Sequence, residues 1–332
     1  ITDFNEYKKS KIQESENSYS DNRNYERGYN GSGGNEVFER LPELLSGMAV
    51  ISMLKEAVLS PKPGLVDDIN SGSHEDMDIN HFVESSYSLK PYFEDLVKYC
   101  LKTYYEGRRI VISQYTEMRG KEAFREMMAA AGNVNTHKGA IFTMGLMVLA
   151  VTEFMLRHSA VPDFKDREEL KKIVSMNAVS YFSEVMPDSD DKQSDFNAES
   201  NGMKVRKMYG SETIVEEAED GYPTLFGRGL DTFMHSLELG FDKKRCLLHV
   251  LISTMTVLSD SNVLKRGGME GLKLVQNEAR KIYENMDNMS DEEFYGSLQK
   301  ADQLFISHKL SPGGSADLLM ALIFITDIFP SL

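Results

Sequence analysis

From residue 37 onward, apolar side chains recur at three-and-four spacing, and no alternating run is closed by Asn-Gly or Asp-Gly turns, so the chain has no segments from which to build a sheet. Leu41, Leu44, Leu45, Met48, Ile51 and the stretch from Leu54 to Val58 mark one face of a helix that ends at Pro61. The same period predicts helices over 81–106, with Pro91 kinking or restarting the chain, and over 113–131, 140–157, 213–220, 225–239, 243–258, 269–286, 291–307 and 315–329. The helix over 140–157 is apolar on nearly all sides, which marks it as the buried centre. The expected fold is all-α: a single large helical domain over 36–332 built around this helix, with no repeat of fixed period. Residues 1–35, rich in Ser, Asn, Glu and Tyr, read as a flexible polar tail or linker, and the acidic segment 186–201 as a surface loop between two helical halves.

Charge narrows the function. A formal net charge of -15 argues against a protein that coats nucleic acid or an anionic membrane, which needs surplus Lys and Arg to displace counter-ions. A polyanionic ligand must therefore meet a local basic pocket. The two cysteines, Cys100 and Cys246, fall within apolar helical patterns and read as buried thiols rather than a disulfide framework or zinc site. The most apolar run, 140–150, is soon followed by Glu153 and Arg157, so no membrane span is expected, and the class is cytoplasmic and globular. Nineteen Met residues and no Trp point to Met-filled helix contacts, which could also hide the face of a homodimer.

Four polar segments crowd around glycine or proline at the ends of apolar helices. Asn133, Asn135, Thr136, His137, Lys138 and Gly139 stand directly before the central helix, where main-chain N–H groups point at whatever the loop binds. The plain alternative is an ordinary cap, with Asn135 or Thr136 closing the helix. Between Pro61 and Asp78, a Pro-Lys-Pro-Gly turn carrying Lys62 leads to Asp67, Asp68, His74, Asp76 and Asp78, an oxygen-rich set suited to Mg²⁺. The bland reading is a solvated acidic loop. Ser311, Gly313, Gly314, Ser315 and Asp317 precede another apolar helix, with glycines that let the main chain approach a ligand. Asp260, Ser261 and Asn262 followed by Arg266, Gly267 and Gly268 form the fourth element, in which Arg266 could pair with phosphate through two N–H groups. No Walker motif is present.

In this order the segments from Pro61 to Asp67, from His74 to Asp78, from Val134 to Phe142, from Arg266 to Gly268 and from Ser311 to Leu319 resemble the triphosphoribosyl-dephospho-CoA synthase family, over about residues 49–326. The family serves citrate lyase and malonate decarboxylase. The resemblance implies an all-helical transferase that moves the 5-triphosphoribosyl group of ATP to the 2′-hydroxyl of 3′-dephospho-CoA and releases adenine. It also implies a downstream transferase that loads the product on an acyl carrier protein and is fused to the synthase in some relatives. One departure stands out: where the family has Arg-Gly-Glu-Ala before Gly-Phe-Pro, this chain has Val215, Glu216, Glu217 and Ala218 before Gly221, Tyr222 and Pro223. An arginine expected near a phosphate is absent there, with Arg206 as a substitute.

Such a glycosyl transfer needs the triphosphate held, the acceptor hydroxyl deprotonated and the departing base protonated. The clustering assigns the phosphates to Lys62, Lys138, Arg266 and the amides of Gly313 and Gly314, with Asn135, Thr136, Gly139, Ser311 and Ser315 beside them. Asp76, Asp78 and Asp67 are the expected Mg²⁺ ligands. His137 or His74 is the expected acid or base, and Asp317 or Asp260 the group that stabilises a cationic sugar. The competing readings are a metal-dependent adenine-nucleotide glycohydrolase and a helical nucleotide-binding protein without catalysis.

Overall fold

The computed structural model describes residues 34–181 and 214–330. The polar segment up to 33, the acidic segment 186–201 and Arg206 lie outside the described residues. Along the chain come α1 (Gly34–Val58), α2 (Ile79–Ser88), α3 (Lys90–Tyr105), α4 (Gln114–Ala130), α5 (Lys138–His158), α6 (Arg167–Ser180) and α7 (Ile214–Glu219). They are followed by α8 (Leu230–Glu238), α9 (Lys243–Met255), α10 (Ser261–Tyr283), α11 (Asp291–Ser307) and α12 (Gly313–Ile328), with no strand among the described residues. The fold is all-α.

Local chemistry explains where these helices start. Asp78, Ser113, Asp242, Asp260 and Ser290 each accept a main-chain N–H of the following turn and so fill donors that a helix leaves open at its first turn. Pro91 restarts the chain rather than kinking it, because its missing N–H is tolerated in the first turn of α3. α6 escapes the periodicity because Ser175, Asn177 and Ser180 are buried among its apolar positions. The segment of Arg266, Gly267 and Gly268, expected ahead of a helix over 269–286, lies inside one. The path departs from helix only at Gly268, whose φ of 61° and ψ of -160° break α10 where a side chain would be strained.

Two helices apolar on every side, α5 and α12, pack on each other at the centre. α1, α3 and α6 cover α5, while α1 and α9 cover α12. α5 is long and apolar enough to cross a membrane, yet 83% of its most apolar window is buried against its neighbours, as a core helix requires. Side chains such as Met144, Leu149, Leu319 and Phe324 are essentially inaccessible, and each contributes about 1.5–3 kcal/mol by leaving water. Because α5 and α12 lie in contact, their first turns stand side by side, and the first turn of α10 joins them through Asp260.

Candidate active site at three helix starts

The loop between α1 and α2 is folded by its own acids. Asp67, almost wholly buried, accepts hydrogen bonds from the main-chain N–H groups of Lys62 (2.9 Å), Ile69 (2.8 Å) and Asn70 (3.0 Å). Asp302 of α11 clamps the same loop, accepting from Gly64 N at 2.9 Å and Asn70 Nδ2 at 3.0 Å. Asp78 caps α2 and pairs with His81 Nδ1 at 2.7 Å. The side chain of Asp76 is 67% exposed, with one oxygen 3.7 Å from His74 Nδ1. Asp67, Asp76 and Asp78 therefore do not converge as the expected magnesium ligands: Asp67 holds a turn together, Asp78 is a helix cap and Asp76 faces water. Among the described residues no group of three or more His, Cys, Asp or Glu is placed to hold a metal ion.

The far end of this loop is tied to the start of α12. Ser73 Oγ donates to Leu310 O, and the Arg266 guanidinium donates to Ser73 O at 2.8 Å and Lys309 O at 3.2 Å. Arg266 also meets His74 Nδ1 at 3.1 Å. Since arginine can only donate, Nδ1 is the accepting nitrogen, and His74 Nε2 carries the proton that it donates to Ser311 Oγ at 2.9 Å. Burial first, and then the Arg266 charge, hold the His74 pKa below its ordinary value. His74 is thus a neutral strut with both nitrogens engaged, so of the two histidines it is the less suited to proton transfer. Arg266 keeps its Nε–H and one further hydrogen open toward an anion.

Deeper in, Lys62 and Glu56 form an ion pair at 2.5 Å, with side chains only 1% and 2% exposed. Lys62 Nζ donates as well to Glu56 O at 2.7 Å. Burial raises the Glu56 pKa against the pull of Lys62. The ammonium group is therefore a buried counter-charge and not the solvent-facing phosphate ligand expected of it. His137, also 1% exposed, meets Ser85 Oγ through Nδ1 at 2.7 Å and stands edge-on to Phe82. Its Nε2 is buried without a hydrogen-bond partner. Burial and the Lys62 charge push the His137 pKa down to about 3, so the imidazole is neutral at physiological pH.

The start of α5 lacks a cap from its own N-cap side chain. His137 occupies the cap position but its side chain makes no capping bond, while Asn135 Oδ1 accepts weakly from Lys138 N at 3.3 Å. Thr136 Oγ1 points to Met127 Sδ at 3.2 Å, and Lys138 Nζ lies 5.3 Å from the centre of the Phe124 ring. The start of α12 differs. Ser315 N donates to Asp260 Oδ2 at 3.0 Å, Gly314 N also serves Asp260, and Gly313 N donates to Ser311 O at 2.9 Å. The Gly313 and Gly314 amides expected to cradle phosphate are already occupied. Asp260 in turn accepts from Asn262 N and Val263 N, so a single buried carboxylate caps two helices.

Asp317, in the first turn of α12, faces α5. A Cβ built on Gly139 would lie 2.0 Å from Asp317 Oδ2, so only glycine leaves room for this carboxylate. No hydrogen bond or ion pair engages Asp317 among the described residues. Burial, with the charges of Asp260 and Glu56 adding to it, raises its pKa well above the carboxylate range. Nearby, Tyr222 and Thr143 share a buried hydroxyl contact of 3.1 Å, and the Asp317 charge acts on the phenol. The structure thus gathers Lys62, His137, Gly139, Asp260, Ser315 and Asp317, and it adds Glu56, Ser85, Thr143 and Tyr222, which periodicity treats as ordinary helix or loop positions. Glu56 carries one legible signal, a carboxylate inside the apolar stretch from Leu54 to Val58.

Known proteins resemble this chain over most of its length. A family model described as ATP:dephospho-CoA triphosphoribosyl transferase, CitG, matches residues 42–330. Protein CitXG of Haemophilus influenzae is 34% identical over 283 residues, which cover 85% of this chain and 59% of that protein. The 2-(5''-triphosphoribosyl)-3'-dephosphocoenzyme-A synthase of Haemophilus ducreyi is 32% identical, covering 86% of this chain and 88% of its own length. A protein of Streptococcus mutans named as a probable synthase of the same kind is 32% identical over 85% of this chain and 95% of its own. No solved structure matches the chain. With nearly all of the described helical body inside the matched region, the chain belongs to the ATP:dephospho-CoA triphosphoribosyl transferase family.

Proposed function

We infer that this protein transfers the 5-triphosphoribosyl group of ATP to the 2′-hydroxyl of 3′-dephospho-CoA and releases adenine, making the prosthetic-group precursor of citrate lyase or malonate decarboxylase acyl carrier protein. The family match across 42–330 carries the reading. The geometry supports it, because carboxyl groups held in a poorly solvated place, a neutral histidine and the first turn of α5 meet at one place.

In the reaction, the C1′–N9 bond of ATP breaks, its electron pair stays with adenine, and the acceptor oxygen forms the new bond to C1′. The hydroxyl proton is lost and adenine gains one, so the balance closes without oxidant or reductant. The triphosphate sits at the start of α5, where the main-chain N–H groups and Lys138, with Asn135, Thr136 and Gly139, favour anionic oxygens. Arg266 contributes its unused hydrogens from the α10 side. Mg²⁺ in this reading arrives as the counter-ion of the ATP triphosphate, because the acids among the described residues do not fit a resident site. The enzyme works in the cytoplasm, as a homodimer, and passes its product to a holo-acyl-carrier transferase.

Chromatography with mass detection on protein incubated with ATP, Mg²⁺ and 3′-dephospho-CoA tests the assignment. Adenine and the triphosphoribosylated product are expected in equal amount. Adenine without acceptor would instead mean a glycohydrolase, and neither product would leave a nucleotide-binding protein.

A further inference from the structure

Two carboxylates at the start of α12 are equal candidates by sequence, and their surroundings separate them. Asp260 has both oxygens saturated by main-chain donors from two helices, so it has no lone pair or proton free for chemistry. Asp317, in the first turn of α12, has no hydrogen-bond partner among the described residues and sits against the bare Cα of Gly139. A second unpartnered polar atom belongs to the same place. His137, two residues before Gly139, has its Nε2 buried with nothing to bind, and it lies within the field of the Lys62 charge whose partner Glu56 acts on Asp317. The half-buried Asp317 carboxylate is reached at the same place, and the buried His137 Nε2 left open beside it marks a missing ligand group.

We propose that Asp317 is the catalytic acid that protonates the departing adenine, that His137 holds the base by a hydrogen bond as a neutral imidazole, and that Asp260 is a positioning residue only. The inference rests on the transferase reading above and deepens it. As the C1′–N9 bond breaks, the Asp317 carboxyl proton moves to a ring nitrogen of adenine. The proton shed by the acceptor hydroxyl returns through solvent to the Asp317 carboxylate, so the enzyme ends each cycle as it began. The groups that face Asp317 suit an acid that must arrive protonated, since Glu56 of α1 and Asp260 at the α10 cap both disfavour a second negative charge. Lys62 is neutralised by Glu56, Tyr222 stays protonated through burial, and His137 is uncharged.

The test compares ATP with a ribosyl 5′-triphosphate that carries a 4-nitrophenoxy group in place of adenine, a leaving group that departs as the stable 4-nitrophenolate anion without protonation. Wild-type adenine release with 3′-dephospho-CoA is the control. Its absence overturns the transferase reading itself and this inference with it. For Asp317→Asn, kcat on ATP is expected to fall by about 100-fold or more, the usual contribution of an acid catalyst, while kcat on the nitrophenoxy substrate stays within about 5-fold of wild type. Equal loss on both substrates would show that Asp317 stabilises the sugar or the fold and would overturn the proposal. If the variant fails to fold or the analogue is not turned over, the kcat–pH profile on ATP decides. An alkaline loss of activity in the wild type that shifts along the pH axis in Asp317→Glu supports the acid, and a wild-type profile with no alkaline loss overturns it.

Discussion

Gly139 and Asp317 stand so close that a Cβ on the glycine would lie 2.0 Å from the aspartate's Oδ2, and this contact fixes how the first turns of α5 and α12 meet. Gly139→Ala must move either the carboxylate or the helix. Adenine release is expected to drop by about 100-fold, since a displacement near 1 Å at a reacting group has that effect. The melting temperature should change much less than the rate, which steady-state kinetics alongside thermal unfolding will show.

Asp260 binds the starts of α10 and α12 together through four main-chain donors. Asp260→Ala leaves those donors buried and unpaired, so stability should fall by about 2–4 kcal/mol, more than an exposed cap costs. Urea unfolding measures this. A change below about 0.5 kcal/mol would contradict the clamp.

The buried pair of Lys62 and Glu56 predicts strong coupling. Lys62→Met strands the Glu56 carboxylate and is expected to destabilise the protein by about 3–5 kcal/mol, whereas adding Glu56→Gln should restore part of that loss. A double-mutant cycle of unfolding free energies reads the coupling, and additive effects would exclude it.

His137 provides a signature in pH. Its folded-state pKa, about 3, lies below the ordinary histidine value of 6.5, so between those values the unfolded chain binds the extra proton. The stability associated with neutral His137 is therefore fully present above pH 6.5 and lost progressively as pH falls toward 3. Unfolding midpoints of His137→Asn should fall less steeply with acid than those of the wild type over that window. Parallel curves would place the imidazole outside the buried site.

The separation of Asp67, Asp76 and Asp78 makes a further prediction about metal. Asp76→Asn, which alters an exposed side chain, should leave the Mg²⁺ dependence of adenine release within about 3-fold of wild type, because exposed contacts contribute little. Asp67→Asn should instead lower the melting temperature, since it weakens the turn that orders residues 62–70. A lost Mg²⁺ response in Asp76→Asn would restore this carboxylate as a ligand.

Periodicity and capping act between residues a few positions apart, and they are enough to specify the all-helical class, the buried apolar helix α5 and most helix starts. The polar segments beside glycine, from which Gly139, Asp260 and Asp317 come, are legible in the same way. What each of these residues does is set by contacts that form only when the helices pack. Asp260 meets Ser315 across 55 positions of chain, and Gly139 meets Asp317 across a still longer separation, so local spacing carries no record of either contact. The acids near Asp67 and the amides of Gly313 and Gly314 look available in one dimension. Folding hands those acids to caps and turns and those amides to Asp260 and Ser311, because every buried donor and acceptor takes the partner that packing brings within reach.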